Sequence, residues 1–367
     1  MKNSDIYMIH GTEYKNMTKE LLWEANLDER IPNKDCCIGI KPNLVSASEA
    51  SYGATTHPEV VAGIIEYLQE RGYHNLMMLE GSWVGDSTSD AMEVCGYNAI
   101  SKQYNVPFID TQKDSYTAKD CHGMDLNICD VVDKVDFLIN VPVMKGHCQT
   151  KITCALKNSK GLIPNKEKRH FHSMGLHKPI AHLNTIIKQD FIVVDNICGD
   201  LDFEDGGNPV EMNRIWACVD PVLCDAYVCQ ELHYQLEDVP YIQLAEHLGV
   251  GSADLNTLNL HTCSGTKTAV SIPVPSKAVE VQDAVEAVDS CSACYGYLLP
   301  ALYRLKEEGL YDQIPHKICI GQGYRGTAGI LGIGNCTKNF EHSLRGCPPV
   351  EDEVYEFLKE LIKQKNI

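Results

Sequence analysis

The chain is predicted to fold as α/β: an open parallel or mixed sheet with helices on both faces, plus a small C-terminal α/β domain. Three observations predict this. Strand-like apolar runs alternate with amphipathic helical ones over roughly the first 250 residues. At 367 residues and 44% hydrophobic content, the chain exceeds one ordinary domain and has the composition of a full-sized core. A proline-rich break at Pro273–Lys277 then separates it from a segment of different character, which divides the chain into residues 1–275 and 276–367.

In chain order, the apolar runs Ile6–Ile9, Cys37–Ile40, Asn75–Leu79, Val106–Ile109, Phe137–Val141, Phe191–Val194 and Ile215–Cys218 read as strands. His57–Gln69 reads as a helix: Thr56 can cap it, Pro58 sits where a missing N–H costs nothing, and Val60, Ile64 and Leu68 make one apolar stripe. Thr88–Gln103, Pro221–Leu232 and Tyr241–Leu248 are further helices. Beyond the break, Leu298–Glu308 and Glu351–Gln364 are expected helices, the second with Val354, Leu358, Leu361 and Ile362 on one side.

The net charge of −18 excludes nucleic acid and anionic membrane surfaces as partners, because both demand clustered positive charge. No apolar run approaches 18 residues and the N-terminus carries no charged-then-apolar leader, so a cytoplasmic location is expected. Seventeen cysteines without a small-domain disulfide pattern fit a reducing compartment.

The last third carries Cys291-Ser-Ala-Cys294, Gly334-Asn-Cys336 and Gly346-Cys347-Pro-Pro349. Two thiolates on one turn can grip adjacent corners of a metal site, and two more from later loops complete a tetrahedral set. Cys291, Cys294, Cys336 and Cys347 are therefore expected to ligate a 4Fe-4S cluster. A four-cysteine zinc site uses the same residues, and buried packing thiols are the bland alternative. Cys319, on a strand-like run, could replace Cys336. Gly321-Gln-Gly323-Tyr-Arg-Gly326 matches a dinucleotide fingerprint as a string, but a glycine-rich strand-like stretch follows where a helix is required.

A basic island interrupts the acidic chain. Between Lys145 and Lys178 there are eight Lys or Arg against the single acid Glu167, together with His147, His170, His172 and His177. Lys41 falls at one predicted strand end and Lys145 with His147 at another, where ligands collect in open α/β sheets. Lys145, His147 and Lys157 are the candidate catalytic residues; Lys41, Asn43, Asn158, Lys160 and Asp195 are the candidate substrate-binding residues. Ammonium, amide and imidazole groups converging there would hold a phosphate or carboxylate and move a proton. Asp225, with Asp195, could orient a lysine or bind a cation. On this reading Lys145→Met changes stability little, weakens the anion and leaves the cluster untouched.

The motifs Lys41-Pro-Asn43, Val143-Met-Lys145-Gly-His147, Leu156-Lys-Asn158-Ser-Lys160-Gly161, Val194-Asp195, Gly206-Gly207-Asn208-Pro209 and Asp220-Pro221-Val222 with Asp225 resemble the family catalogued as domain of unknown function 362. The resemblance spans nearly all of residues 36–250. It implies the α/β architecture, a pocket and frequent iron-sulfur binding, but no substrate. The chain lacks the compact ferredoxin-like cysteine run of many members and resembles the subset with a separated cysteine pair. The expected function is an iron-sulfur oxidoreductase or electron-transfer protein acting on an anionic small molecule, with a ferredoxin or flavoprotein as redox partner and self-association into a homo-oligomer. The competing readings are a cluster-containing ligand-binding or redox-sensing protein and a non-redox transferase with structural zinc.

Overall fold

The computed structural model describes residues 1–204, 207–263 and 272–365. The first part contains strands β1 (Asp5–His10), β2 (Ile38–Pro42), β3 (Leu76–Glu80), β4 (Phe108–Asp110), β5 (Tyr116–Asp120), β6 (Asp125–Cys129), β7 (Phe137–Val141), β8 (Lys145–His147), β9 (Lys151–Thr153), β10 (Phe191–Asp200), β11 (Pro209–Cys218) and β12 (Asn259–Thr262). Its helices are α1 (Tyr14–Glu24), α2 (Pro58–Glu70), α3 (Thr88–Val94), α4 (Tyr97–Tyr104), α5 (Ala155–Asn158), α6 (Asn165–Ser173), α7 (His177–Leu183), α8 (Pro221–Glu231) and α9 (Pro240–His247).

Eight strands form one mixed sheet in the order β12-β1-β11-β10-β7-β2-β3-β4. The β10-β7-β2-β3-β4 run is parallel, and β11 lies antiparallel between β1 and β10. Side chains alternate across the strands: Ile139 and Val193 join Leu21, Ile64 and Ile100 on one face, while Leu138, Ile192 and Val194 join Phe171, Ile180 and Val228 on the other. Helices thus cover both faces, each over its own apolar core.

The helix expected over Thr88–Gln103 is two, α3 and α4, because Gly96 adopts φ +79° between them. Thr56 does not cap α2; its hydroxyl donates to the Val141 carbonyl, and Asp195 accepts the His57 N–H instead. The strand expected over Ile215–Cys218 extends back to Pro209.

The C-terminal part has its own parallel sheet of β13 (Val285–Ala287), β14 (Ile318–Ile320), β15 (Leu331–Ile333) and β16 (His342–Leu344). Helices α10 (Ser292–Glu307) and α11 (Glu351–Lys365) pack on it through Leu298, Leu302, Val354 and Leu358. Helix α10 begins at the cysteine pair, six residues before its expected start, with Cys291 at the N-cap and Cys294 in the first turn.

The two parts interlock. Phe203, from the loop after β10, is buried in the C-terminal core. Gln149 accepts from the Ser292 hydroxyl at 2.7 Å and donates to Ser290, while Trp83 meets Tyr297 edge-on at 5.5 Å.

Candidate functional site

The parallel strands deliver their C-terminal ends to one region, and the loops there enclose a cavity of about 90 Å³. Strand β2 continues into Asn43, β3 ends at Glu80 followed by Gly81 and Trp83, and α5 contributes Lys157 and Asn158. Lys160 and Gly161 follow, and α6 sends in Lys168 and His172. Glu204 closes one wall from the loop that carries Phe203.

The charges are arranged in pairs. Lys157 Nζ lies 2.6 Å from Glu204 Oε1 and donates to Thr153 Oγ1 at 2.8 Å. The other Glu204 oxygen lies 2.8 Å from His147 Nε2, at an angle that leaves neither atom a proper hydrogen bond. His147 Nδ1 accepts the N–H groups of Gln149 and Thr150, both at 3.0 Å, so the ring proton sits on Nε2. Burial lowers His147 to about 4, and the ring is neutral at physiological pH. Burial opposes ionisation of Glu204, but His147, Lys157 and Lys145 around it hold it well below the usual carboxylate range.

Lys41 is buried and ion-paired with Glu80, whose other oxygen accepts from Gly81 N at 2.6 Å. Gly161 passes so close that a Cβ there would fall 1.8 Å from Glu80 Oε1. Lys168 donates to the carbonyls of Gly81 at 2.9 Å and Ser82 at 2.8 Å, and burial lowers it to about 8. Lys160, half-buried, has no hydrogen bond or ion pair among the described residues and stands 6.0 Å from the Phe171 ring centre. Burial and then Lys157 lower it to about 7.

Of the residues expected from sequence, Asn43, Lys157, Asn158 and Lys160 therefore line one cavity. Lys41 and His147 stand behind its wall, fixing Glu80 and Glu204. Lys145 does not reach it: the buried ammonium donates to Ala54 O at 2.7 Å and Glu204 O at 3.0 Å and ties the 201–204 loop to the core. Asp195 also lies elsewhere, accepting from His57 N at 2.6 Å and His57 Nδ1 at 2.8 Å. Asp225 accepts the Ala155 and Leu156 N–H groups at the start of α5, which leaves it no role in the cavity. No motif of the sequence singles out Glu80 or Trp83 as members of the site. The signal for Glu204 was its place two residues before the Gly206-Gly207 motif, of which Gly206 lies outside the described residues.

Cys291, Cys294, Cys336 and Cys347 line a second cavity of about 50 Å³. Its loops are laced together: Gly334 N donates to Leu344 O at 2.8 Å and Asn335 N to Gly346 O at 2.8 Å. Gly334, at φ +93°, lets its loop pass Cys294, whose Sγ would lie 3.5 Å from any Cβ there. Burial and then the neighbouring thiols push Cys294 up to about 12, and burial with Cys336 and Cys347 raises Cys291. Arg325 and Arg169 lie on the same wall, Arg325 beside Cys336. Cys319 lies outside this cavity, beside Tyr324 and Glu286. Gly321 and Gln322 border the cavity, and the chain continues through one 3-10 turn at Gln322–Tyr324 into β15 rather than into an α-helix. The two cavities share Val84, Cys291 and Ala293.

Among the described residues, the one group of three potential metal ligands within 4.8 Å of each other is Cys154, Cys224 and Asp225. It is fully buried, and both Asp225 oxygens already accept backbone N–H groups. Among the described residues no helix is long and apolar enough to cross a membrane.

The chain is similar to the thylakoid-associated protein sll1697 of Synechocystis sp., with 25% identity over 222 residues, covering 58% of this chain and 67% of that protein. Among solved structures, it aligns with the lactate racemase apoprotein from Thermoanaerobacterium thermosaccharolyticum at 14% identity and TM-score 0.41, over 62% of this chain and 56% of that one. A Thermotoga maritima protein aligns at 14% identity and TM-score 0.36, over 55% and 54% of the two chains. The chain thus spans a little over half the length of these two structures. Residues 38–230, which carry the β2 and β7 strand ends and the cationic cavity wall, match the family described as domain of unknown function (DUF362), and the chain belongs to that family.

Proposed function

We propose that the protein is an iron-sulfur oxidoreductase that acts on a small anion held in the cationic cavity. The observation that carries this reading is the shared wall: Val84, Cys291 and Ala293 border both the four-cysteine cradle and the anion cavity. A 4Fe-4S cluster would be held by Cys291, Cys294, Cys336 and Cys347, and when bound it supplies single electrons. Four mutually repelling thiolates co-ionise only around positive charge, which suits the donor set to a metal centre.

The four thiols leave room between them for a cluster. Tetrahedral zinc with bonds of about 2.3 Å brings its sulfurs within about 3.8 Å of one another. No three of these four thiols gather within 4.8 Å. A cluster, whose own bulk stands between its ligands, needs that wider setting.

The residues of the cavity have separate tasks. Lys160 and Lys168 attract and orient the anion, Asn43 and Asn158 offer neutral polar contacts, and Lys157 is held in place by Glu204. Lys160 has a free amine near neutrality and can hold or release a proton at Nζ.

Anaerobically purified protein tests the reading. About four irons and four sulfides per chain, with a visible spectrum that bleaches on reduction, are expected. Colourless protein with one zinc would overturn it. A reducible cluster together with a bound ligand that is never converted would favour the sensing alternative.

A further inference from the structure

We propose that the cavity selects a doubly charged small anion, a dicarboxylate or a phosphate monoester, over a singly charged one. This deepens the reading of the cavity as the ligand site and is independent of the cluster. The titratable groups facing the cavity are Lys157, Lys160, Lys168, His172, Glu80, Glu204 and the Cys291 thiol, which burial keeps protonated in the absence of a metal, with Lys41 and His147 immediately behind. Lys157 cancels Glu204 and Lys41 cancels Glu80. His147 is the neutral tautomer, because its Nδ1 accepts two backbone N–H groups and so carries no proton. Lys160 and Lys168 remain without a carboxylate partner, and a bound dianion would hold both in the ammonium form.

Two uncompensated ammonium groups in a protein wall are costly unless something pairs with them. Lys168 spends two of its three N–H groups on Gly81 and Ser82, so one remains for a ligand. Lys160 has spent none on the described residues, so it can offer three. His172 adds an independent observation: it is nine-tenths buried, it lines the cavity, and its Nδ1 has no hydrogen-bond partner. A ligand or a ligand-bound water is the natural partner for it.

Lys160 feels the Cys291 thiol across the shared wall, but the cradle also has countercharge of its own. Arg169 and Arg325 line that cradle and provide countercharge on its own side. Trp83, Val84 and Ala293 complete the anion cavity with an apolar surface, so the dianion carries a short apolar body. An anion with one charge would leave one ammonium unpaired.

The test is calorimetric titration of the full chain at constant ionic strength with malonate, inorganic phosphate, acetate and neutral malonamide. Malonate or phosphate should bind at least roughly tenfold tighter than acetate, the effect of one additional charge-assisted hydrogen bond, and malonamide should not bind. Malonate against phosphate decides between the carboxylate and phosphate forms of the dianion. Lys160→Met should reduce the dianion preference toward the acetate value. That variant carries the decision, because Lys160 has no hydrogen bond to lose among the described residues, whereas Lys168→Met could also disturb the Gly81–Ser82 loop.

Acetate binding as tightly as malonate, or a preference unchanged in Lys160→Met, overturns the proposal. Iron and sulfide measured on the same samples separate the two readings. Selective malonate binding without iron sustains this inference and removes the cluster, and iron with no dianion preference does the reverse.

Discussion

Lys157 Nζ lies 2.6 Å from Glu204 Oε1, and this contact joins α5 of the large sheet to a loop whose adjacent residue, Phe203, is buried in the C-terminal core. One ion pair thus fixes a wall of the anion cavity and the docking of the two parts. Glu204→Gln should separate these roles. Removing one partner of a buried pair leaves the other charge uncompensated, so stability should fall by about 3–5 kcal/mol in urea unfolding. Lys157 is then free to meet a ligand, and malonate affinity should rise in the same variant. A fall in both quantities would mean that Glu204 contacts the ligand itself.

Lys145→Met reverses the expectation drawn from sequence. The ammonium is buried and donates to the carbonyls of Ala54 and Glu204, so the variant leaves two acceptors without a donor. Each lost partner costs about 1–3 kcal/mol. Thermal unfolding should therefore shift down by several degrees, while malonate affinity changes less than in Lys160→Met. An unchanged Tm with lost affinity would return Lys145 to the ligand site.

Gly161→Ala should damage the cavity without altering any charge. Its Cβ would meet Glu80 Oε1 at 1.8 Å and Lys41 Nζ at 2.7 Å. Either the buried pair opens or the backbone after α5 moves. Overpacking of this kind costs about 1–3 kcal/mol, measurable by urea unfolding.

The His57–Asp195 contact should show in the pH dependence of stability. Burial acts to lower the His57 pKa, but Asp195 at 2.8 Å outweighs it and the net shift is upward from 6.5. A raised folded-state value means the protonated form is stabilised by folding. That stability is full below about 6.5, the ordinary imidazole value, and is lost as pH rises through the folded-state value. His57→Gln should flatten this slope between pH 6 and 8.5. An identical slope in the variant would assign it to other groups.

The fold was legible because sheet strands buried on both faces read as continuous apolar runs such as Phe137–Val141 and Phe191–Val194. The error at Gly96 arose because amphipathic periodicity runs across a glycine that in fact turns the chain. The site was legible only where a residue's own motif pointed to it, as with Lys157-Asn158 and Lys160. A lysine's role depends on its partner: Lys41 pairs with a carboxylate 39 residues away and Lys157 with one 47 away. No local pattern encodes those separations, so Lys145 and Lys41 read as ligand-binding lysines, and Glu204 shows only as a neighbour of the Gly206-Gly207 motif.

The cysteine assignment yields the most direct discrimination, between Cys336 and Cys319. Along β14, Ile318 and Ile320 point into the C-terminal core, so Cys319 projects to the opposite side, beside Tyr324 and Glu286. Cys336 lies in the loop after β15, faces Cys291 and Cys294, and has Arg325 beside it. Cys336→Ser should lose most of the visible absorbance and bound iron of anaerobically prepared protein, as should Cys291→Ser, Cys294→Ser and Cys347→Ser. Cys319→Ser should keep both, because its thiol does not reach the cradle. If Cys319→Ser bleaches the protein and Cys336→Ser does not, then β14 rather than the loop after β15 supplies the third ligand, and the cradle must be redrawn around Tyr324.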